Sequence, residues 1–525
     1  MSSLLTGRKP FLLLLALMAV ISSFLFRDVT RADDDAGNYQ VWAIDQSPTL
    51  PSGGGALYVW KGQTLAGRAD KAEAEKVDLG QAAIAAGCPV GKFPHMGLAN
   101  DANGLSIERP THFVLANFGS GDVQFFDIDS RKMVGCINLV GAGGIGTVST
   151  HASVATPDRR MVLVDDIGGQ ALHKIHTDFA TNTYTYVETL NLHTIAAQVG
   201  TPFARPVCHG YTADSRYAYV TLQQGGVVVV DLGDPDGSPG MSVVKVYSAA
   251  TAPGIGCGAL LLPNGKMMTN GESGQFGGPD YLYFFDVSGI SSGNFPNPVQ
   301  ISLPGEDTHG AFPCVDTKGK VFIWTLMRIS GDIVIVDAQT NQVVKQKSVI
   351  TPFTPAAAPD GIEIRDHTAF VTFRGPKPLT AMSAIQNAAR VPGVAALKVS
   401  PDCKDFEFRE KDFTSLYDPS RMTTIGSGAV VTAADIHGMD VIPAPLHPQG
   451  GGGVVKESTV GLKASSLYAR ALGSGQLAAP QTASLISQGN AIPEFPDAAW
   501  SCSWTGTVAE ESIVRLPDTN PDPAS

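Results

Sequence analysis

The stretch HGYTADSRYAYVTLQQGGVVVVDL, beginning at His209, constrains the fold more than any other part of the chain. It reads as a short strand, a turn at Ala213-Asp214-Ser215-Arg216, an alternating strand over 217–222, a Gly-Gly turn and a run of valines, and SVVKVYSA supplies a further strand after it. Four antiparallel strands of this kind make one blade of a β-propeller. The same order of turn, strand, small-residue turn and hydrophobic strand returns in THFVLANFGSGDVQFFDIDSRKMVGCINL, PDRRMVLVDDIGGQALHKI, TKGKVFIWTLMRISGDIVIVDAQTNQVVKQ and RDHTAFVTFRGPK. The hydrophobic strand often closes on an aspartate, at Asp127, Asp231, Asp286 and Asp337.

On this pattern the innermost strands open at His95, His151, His209, Cys257, His309, Asp360 and His437, at intervals of 56, 58, 48, 52, 51 and 77 residues. The seventh opening is followed only by HGMDVIPAP before QGGGG breaks the pattern, while YQVWAIDQS, GGALYVWKG and AEKVDL near the other end supply three strands that lack a first. Pairing the two pieces closes a ring without leaving exposed sheet edges. The expected fold is therefore all-β, a seven-bladed propeller over 39–446. The 57 glycines and 35 prolines agree with a chain of many turns and few long helices. Across roughly 39–445, SRYAYVTLQQGGVVVVDL and its weaker copies resemble the YVTN and lactonase-like seven-bladed propellers, which implies the fold and little about chemistry.

Arg8 and Lys9 precede an apolar run from Phe11 to Phe26, and Thr30 and Ala32 are the small residues of a cleavage site, so 1–32 reads as a secretory signal and the mature protein as periplasmic or secreted. An uncleaved anchor is the alternative. No later segment is long and apolar enough to span a bilayer. Removal of 1–32 leaves a net charge of about −15, which repels phosphate backbones and makes nucleic acid a poor partner. In an exported chain some of the seven cysteines pair, and Cys88 with Cys136 is the first candidate. Residues 447–525, rich in Gly, Ser, Ala and Pro, are expected to be a largely disordered tail, with AAWSCSWTG as a segment that docks on the propeller or on a partner. A short helix is expected at KPLTAMSAIQNAARVPG, within the longest interval.

Five of the seven openings are histidine although the chain has only 11, and a propeller brings all seven to one mouth of its channel. His95, His151, His209, His309 and His437 are therefore the candidate metal ligands, for a borderline ion such as copper, zinc or iron, with Cys257 as a candidate thiolate. The competing reading has them hydrogen-bonding within their blades to lock turns. Second strands end on polar residues at the same mouth, and Glu272, Asp165 and Arg374 are the candidate catalytic groups, the first and last because neither is a usual turn former. H-E-x-x-H, G-x-S-x-G and phosphate-binding glycine loops are absent from the sequence.

The leading expectation is a metal-dependent oxidoreductase using a copper-like cofactor on a small-molecule substrate. In its channel histidines the chain resembles the selenium-binding and methanethiol-oxidase propellers, without an extended shared motif. Two alternatives stand beside it: a non-catalytic propeller that binds a protein or glycan, and a lactonase- or lyase-like enzyme with a weakly held divalent cation.

Overall fold

Seven antiparallel sheets follow one another along the chain and close into a ring, giving a seven-bladed β-propeller. The computed structural model describes residues 39–443 except 103, 107–108, 273–277, 377, 381–390, 419, 421–422, 425–429 and 432–433. The expected signal, the expected tail with its tryptophans, and most of the expected helix lie outside the described residues.

Blades one to five each take four consecutive strands, beginning with the inner strands Pro94–Ala99, Thr150–Ala155, Pro206–Tyr211, Ala259–Leu261 and Thr308–Val315. Blade six begins at Pro359–Arg365, and its outer edge is made by two short pieces, Phe406–Glu407 and Phe413–Ser415, that share the strand Gly393–Val399. Blade seven is the expected composite. Its inner strand Ile436–Pro443 pairs with Tyr39–Asp45, in the register Tyr39↔Pro443 through Asp45↔Ile436, and Ala56–Lys61 and Glu75–Asp78 complete it.

The aspartates that close third strands have a local cause. Asp127, Asp231, Asp286 and Asp337 each accept a hydrogen bond from a backbone N–H two or three residues ahead, at 2.7, 3.1, 2.9 and 2.9 Å, folding the chain back toward the outer strand. In the turn between first and second strands, Thr212 Oγ1 donates to Asp214 (2.6 Å) and Ser215 takes a φ of 62°; Arg159 and Gly265 adopt the same left-handed conformation in their own blades.

One apolar cluster fills each gap between neighbouring blades. Val114, Phe125 and Val162 lie between blades one and two, and Phe322, Trp324 and Phe373 between five and six. The closing gap between blades seven and one holds Trp42, Ile44, Phe113 and Phe126. The Cys88–Cys136 disulfide expected from sequence is formed, and Cys314 and Cys403 form a second between blades five and six.

Trp42 is fully buried on the strand that closes the ring. Trp42→Ala is expected to lower unfolding free energy by ~3–5 kcal/mol, read as a shift of the urea midpoint. Phe203→Ala, at a side chain 40% exposed, is expected to stay within ~0.5 kcal/mol of the parent.

Candidate metal centre

Each inner strand carries one extra residue just inside its start. The register between first and second strands shifts between Pro94 and Gly97, Thr150 and Ala152, Pro206 and His209, Thr308 and Ala311, and Pro359 and Ile362, with matching irregularities in blades four and seven. Such a bulge re-aims a side chain. Aligned on it, the seven equivalent residues are His95, His151, Val207, Cys257, His309, Asp360 and His437, at intervals of 56, 56, 50, 52, 51 and 77 residues.

This corrects one assignment. His209 lies two residues beyond its blade's ring position, which Val207 occupies, and does not line the channel cavity. Its Nδ1 is 2.6 Å from Asp165 Oδ2 and its Nε2 is 2.9 Å from the Tyr211 hydroxyl, which donates to the Val154 carbonyl (2.6 Å). Both ring nitrogens are thus used to tie blade three to blade two, so the blade-locking reading holds for His209. The His-Gly pair misleads because its glycine serves close packing in either register. A Cβ on Gly210 would meet the Ala259 carbonyl oxygen at 2.6 Å, and one on Gly310 the Asp360 carbonyl oxygen at 2.5 Å.

The other four histidines converge. His95, His151, His309 and His437, with Cys257 and Asp360, line one end of a cavity of about 110 Å³ along the propeller axis, whose wall continues through Leu98, Leu260, Phe312 and Glu363. The His95 ring centroid is 4.1 Å from that of His151 and 4.0 Å from that of His437. Among the described residues, His151, Cys208 and Cys257 form the group able to hold a metal ion, with ligand atoms all within 4.8 Å of one another. Cys208, one residue past the ring position of blade three, is the candidate ligand that sequence reasoning missed. Its position 49 residues ahead of Cys257, one blade period, was the available signal.

The two sulfurs are 3.1 Å apart, too far for a disulfide and close enough to share a proton. The bond to Cys208, with His309 and His151 nearby, holds the Cys257 thiol well below its usual range, while that bond and burial push Cys208 well above it. The pair therefore reads as one thiolate and one thiol. His151 Nδ1 is buried without a hydrogen-bond partner. Burial pushes His95 and His151 below the ordinary histidine value and His437 down to about 4. His309 is raised: burial and Arg328 oppose its charge, but Cys257 and Asp360 outweigh them.

Behind this ring lies a layer of buried ion pairs that includes the three candidate catalytic groups. None of the three lines the cavity. Arg374 is 1% exposed and clamps Asp435 with two bonds of 2.7 and 2.9 Å while also reaching Gln46. Arg328 binds Asp307 at 2.7 Å and Glu272 at 3.0 Å. Burial, and then the Asp307 carboxylate, push Glu272 well above the usual carboxylate range. Asp165 is taken by His209. Guanidinium and carboxylate groups at this depth need partners, which is why these residues face one another rather than the cavity. Asp360 joins layer and ring: its carboxylate bonds His437 Nδ1, its backbone oxygen lies 2.9 Å from His309 Nδ1, and Arg328 and Arg374 approach it to 3.4 and 3.6 Å.

Two outcomes are expected in the metal-free protein. His209→Ala strands a buried Asp165 and lowers stability by ~3–5 kcal/mol in denaturant titrations. The depressed histidines give the second: the unfolded chain takes up protons from about pH 6.5 downward, the folded one at His437 only near pH 4. Stability present above pH 6.5 is therefore lost as pH falls toward 4. Urea midpoints should fall between pH 7 and 4.5, and fall less in His437→Gln.

No family model matches the chain, and no curated protein matches it. Solved structures resemble it in part. A proposed 6-phosphogluconolactonase from Bacteroides fragilis is 14% identical with a TM-score of 0.38, the match covering 59% of this chain and 96% of that one. Hydrazine synthase from Kuenenia stuttgartiensis is 13% identical with a TM-score of 0.40, over 58% of this chain and 76% of that one. A dihydro-haem d1 dehydrogenase in complex with its ligand is 12% identical with a TM-score of 0.44, over 77% of this chain and 75% of that one.

Proposed function

We propose that the protein is an exported metalloprotein whose central cavity ends in a metal ion held by His151, Cys208 and Cys257, and that this ion carries out redox chemistry on a small molecule. The observation that carries the reading is the convergence of the His151 imidazole with the Cys208 and Cys257 sulfurs, ligand atoms all within 4.8 Å of one another, of which His151 and Cys257 lie on the cavity wall. Three protein ligands, two of them on the cavity wall, leave a coordination position open to substrate, the pattern of a catalytic site rather than a closed structural one. Thiolate and imidazole together favour copper and zinc over hard cations, and of these two copper changes oxidation state. A lactonase-like use of a hard divalent cation is less favoured, since such ions take oxygen ligands and the one carboxylate at the ring, Asp360, is engaged by His437 and approached by two arginines. Two disulfides support an oxidising compartment, and the 1–32 segment supports export.

In this reading Asp165, Glu272 and Arg374 are not catalytic. Arg374 and Arg328 hold Asp360, and Asp360 orients two of the imidazoles.

Elemental analysis of the protein purified under anaerobic conditions tests the proposal. Copper is expected bound in the parent, and expected to fall at least tenfold when Cys208 and Cys257 are both replaced by Ser. Metal-free parent protein that remains metal-free when copper is supplied would return the histidines to a structural role and favour the binding-propeller reading.

A further inference from the structure

Three residues along each inner strand from the ring, the equivalent positions are apolar or glycine in blades one to five, Leu98, Leu260 and Phe312 among them, and acidic in blades six and seven, at Glu363 and Asp440. At about 3.3 Å per residue this second tier lies about 10 Å along the axis from the ring. The cavity joins the two tiers. His151 and Cys257 line its wall at the ring, Glu363 lines it at the second tier, and the rest of the wall there is Leu98, Leu260 and Phe312, with Ile362 and Met439 just before them.

The two carboxyl groups meet between blades six and seven. Glu363 Oε2 accepts the Val441 N–H at 2.6 Å, and Asp440 Oδ2 accepts the Ala99 N–H at 2.6 Å, so each reaches the inner strand of the following blade. Glu363 and Asp440 also bond one another. Burial raises both, and burial together with the neighbouring Glu363 carries Asp440 well above the usual carboxylate range. The pair therefore reads as a protonated Asp440 that donates to a Glu363 carboxylate. Arg365, 3.6 Å from Glu363 Oε1, offsets that single charge. A carboxylate has about four acceptor sites. Val441 and Asp440 use two of them, so Glu363 meets the cavity with acceptor capacity to spare.

Volume sets the size of an occupant. An apolar protein cavity of about 150 Å³ takes benzene with its six carbons, so one of about 110 Å³ takes about four or five non-hydrogen atoms. Length agrees. Of the roughly 10 Å between the tiers, a bond to an ion takes about 2 Å and a hydrogen bond to Glu363 about 2.8 Å, which leaves room for a chain of that many atoms.

We propose that Glu363 selects the substrate: an uncharged molecule of about four or five non-hydrogen atoms, apolar along its body, with one O–H or N–H that donates to Glu363 while its other end faces the ion. The apolar wall supplies most of the contact and one polar group fixes the orientation. A cationic end is disfavoured, because Arg365 already offsets the charge of the carboxyl pair. A molecule of sugar size does not fit. Glu363 has this role only if the cavity is the substrate site of the reading above, yet its hydrogen bond needs no ion in place.

The full chain, stripped of metal with a chelator and desalted, is titrated with 1-butanol, with 1-fluorobutane, in which fluorine replaces the hydroxyl, and with 1-hexanol. Dissociation constants are read by ligand-observed NMR. Butanol is expected to bind at least ~10-fold more tightly than fluorobutane, because a site built to accept a hydrogen bond rejects the analogue that lacks the donor. It is also expected to bind more tightly than hexanol, the reverse of the order on a non-specific apolar surface. Glu363→Leu is expected to bring butanol and fluorobutane to within about twofold of each other, with fluorobutane bound as in the parent, which shows the cavity intact. Glu363→Gln keeps an oxygen for the Val441 N–H and is expected to lower the preference at least ~3-fold, a neutral acceptor replacing a charged one; it decides the matter if Glu363→Leu does not fold. Equal binding of butanol and fluorobutane in the parent, a preference undiminished in Glu363→Gln, affinity that rises from butanol to hexanol, or no binding of butanol overturns the proposal. Metal content is measured separately. Selective butanol binding in a protein that takes up no copper keeps Glu363 and removes the ion, and copper uptake without selectivity keeps the ion and removes this role of Glu363.

Discussion

Everything at the axis depends on the pairing of Tyr39–Asp45 with Ile436–Pro443. Those backbone hydrogen bonds join segments nearly 400 residues apart and convert a row of sheets into a ring. They also place blade seven's inner strand against blade one's, and with it His437 against His95. Side chains reinforce the junction. Asp45 Oδ1 accepts the Asp435 N–H at 2.9 Å, Arg374 links Asp435 to Gln46, and Asp440 accepts the Ala99 N–H at 2.6 Å across to blade one. Without closure, a pocket built from one residue per blade has no geometry at all, so stability of the fold and integrity of the centre are one property.

The second constraint is electrostatic. A ring of buried imidazoles loses its water, and burial drives His95 and His151 toward their neutral forms. Neutral imidazoles are what a metal binds. The layer of arginines and carboxylates behind the ring works in the opposite sense. Its charges are kept because each faces a partner, and it converges on Asp360, which is held well below the usual carboxylate range, against burial, by His437, His309 and Arg374. The charged layer therefore gives the ring its orientation and meets the cavity at Asp360.

The fold was legible because the same local chemistry recurs along the chain: a turn, an alternating strand, a hydrophobic strand that four times stops on aspartate. The composite blade was legible for the converse reason, that three strands at one end and one at the other are each incomplete. The site was read less completely, and the cause is specific. A β-bulge adds a residue without changing composition, so PVCHG reads equally well with the channel residue at His209 or at Val207, and only the cross-strand register separates them. Choosing His209 hid Cys208 beside it. Glu272 and Arg374 stood out correctly as unusual at a strand end, but nothing in a sequence distinguishes a polar residue that lines a cavity from one buried in an ion pair behind it. Asp360 was placed at its ring position, whereas its bonds to the histidines of both neighbouring blades follow from the third dimension alone.

A balance of charge ties these features together. Behind the ring, Arg328 and Arg374 face the carboxyl groups of Asp307, Asp360, Asp435 and Glu272. Burial, and then Asp307, favour the neutral form of Glu272, while Asp360 is held in its charged form by His437, His309 and Arg374. The bond to Cys208, with His309 and His151 nearby, lowers Cys257, and Cys257 and Asp360 raise His309 in return. Unpaired charge is costly at this depth, and the contacts Glu272–Arg328, Arg374–Asp435 and Asp360 with His309 and His437 each cross from one blade to the next. The pairing that keeps charge tolerable at the axis is therefore also what ties neighbouring blades together around the cavity.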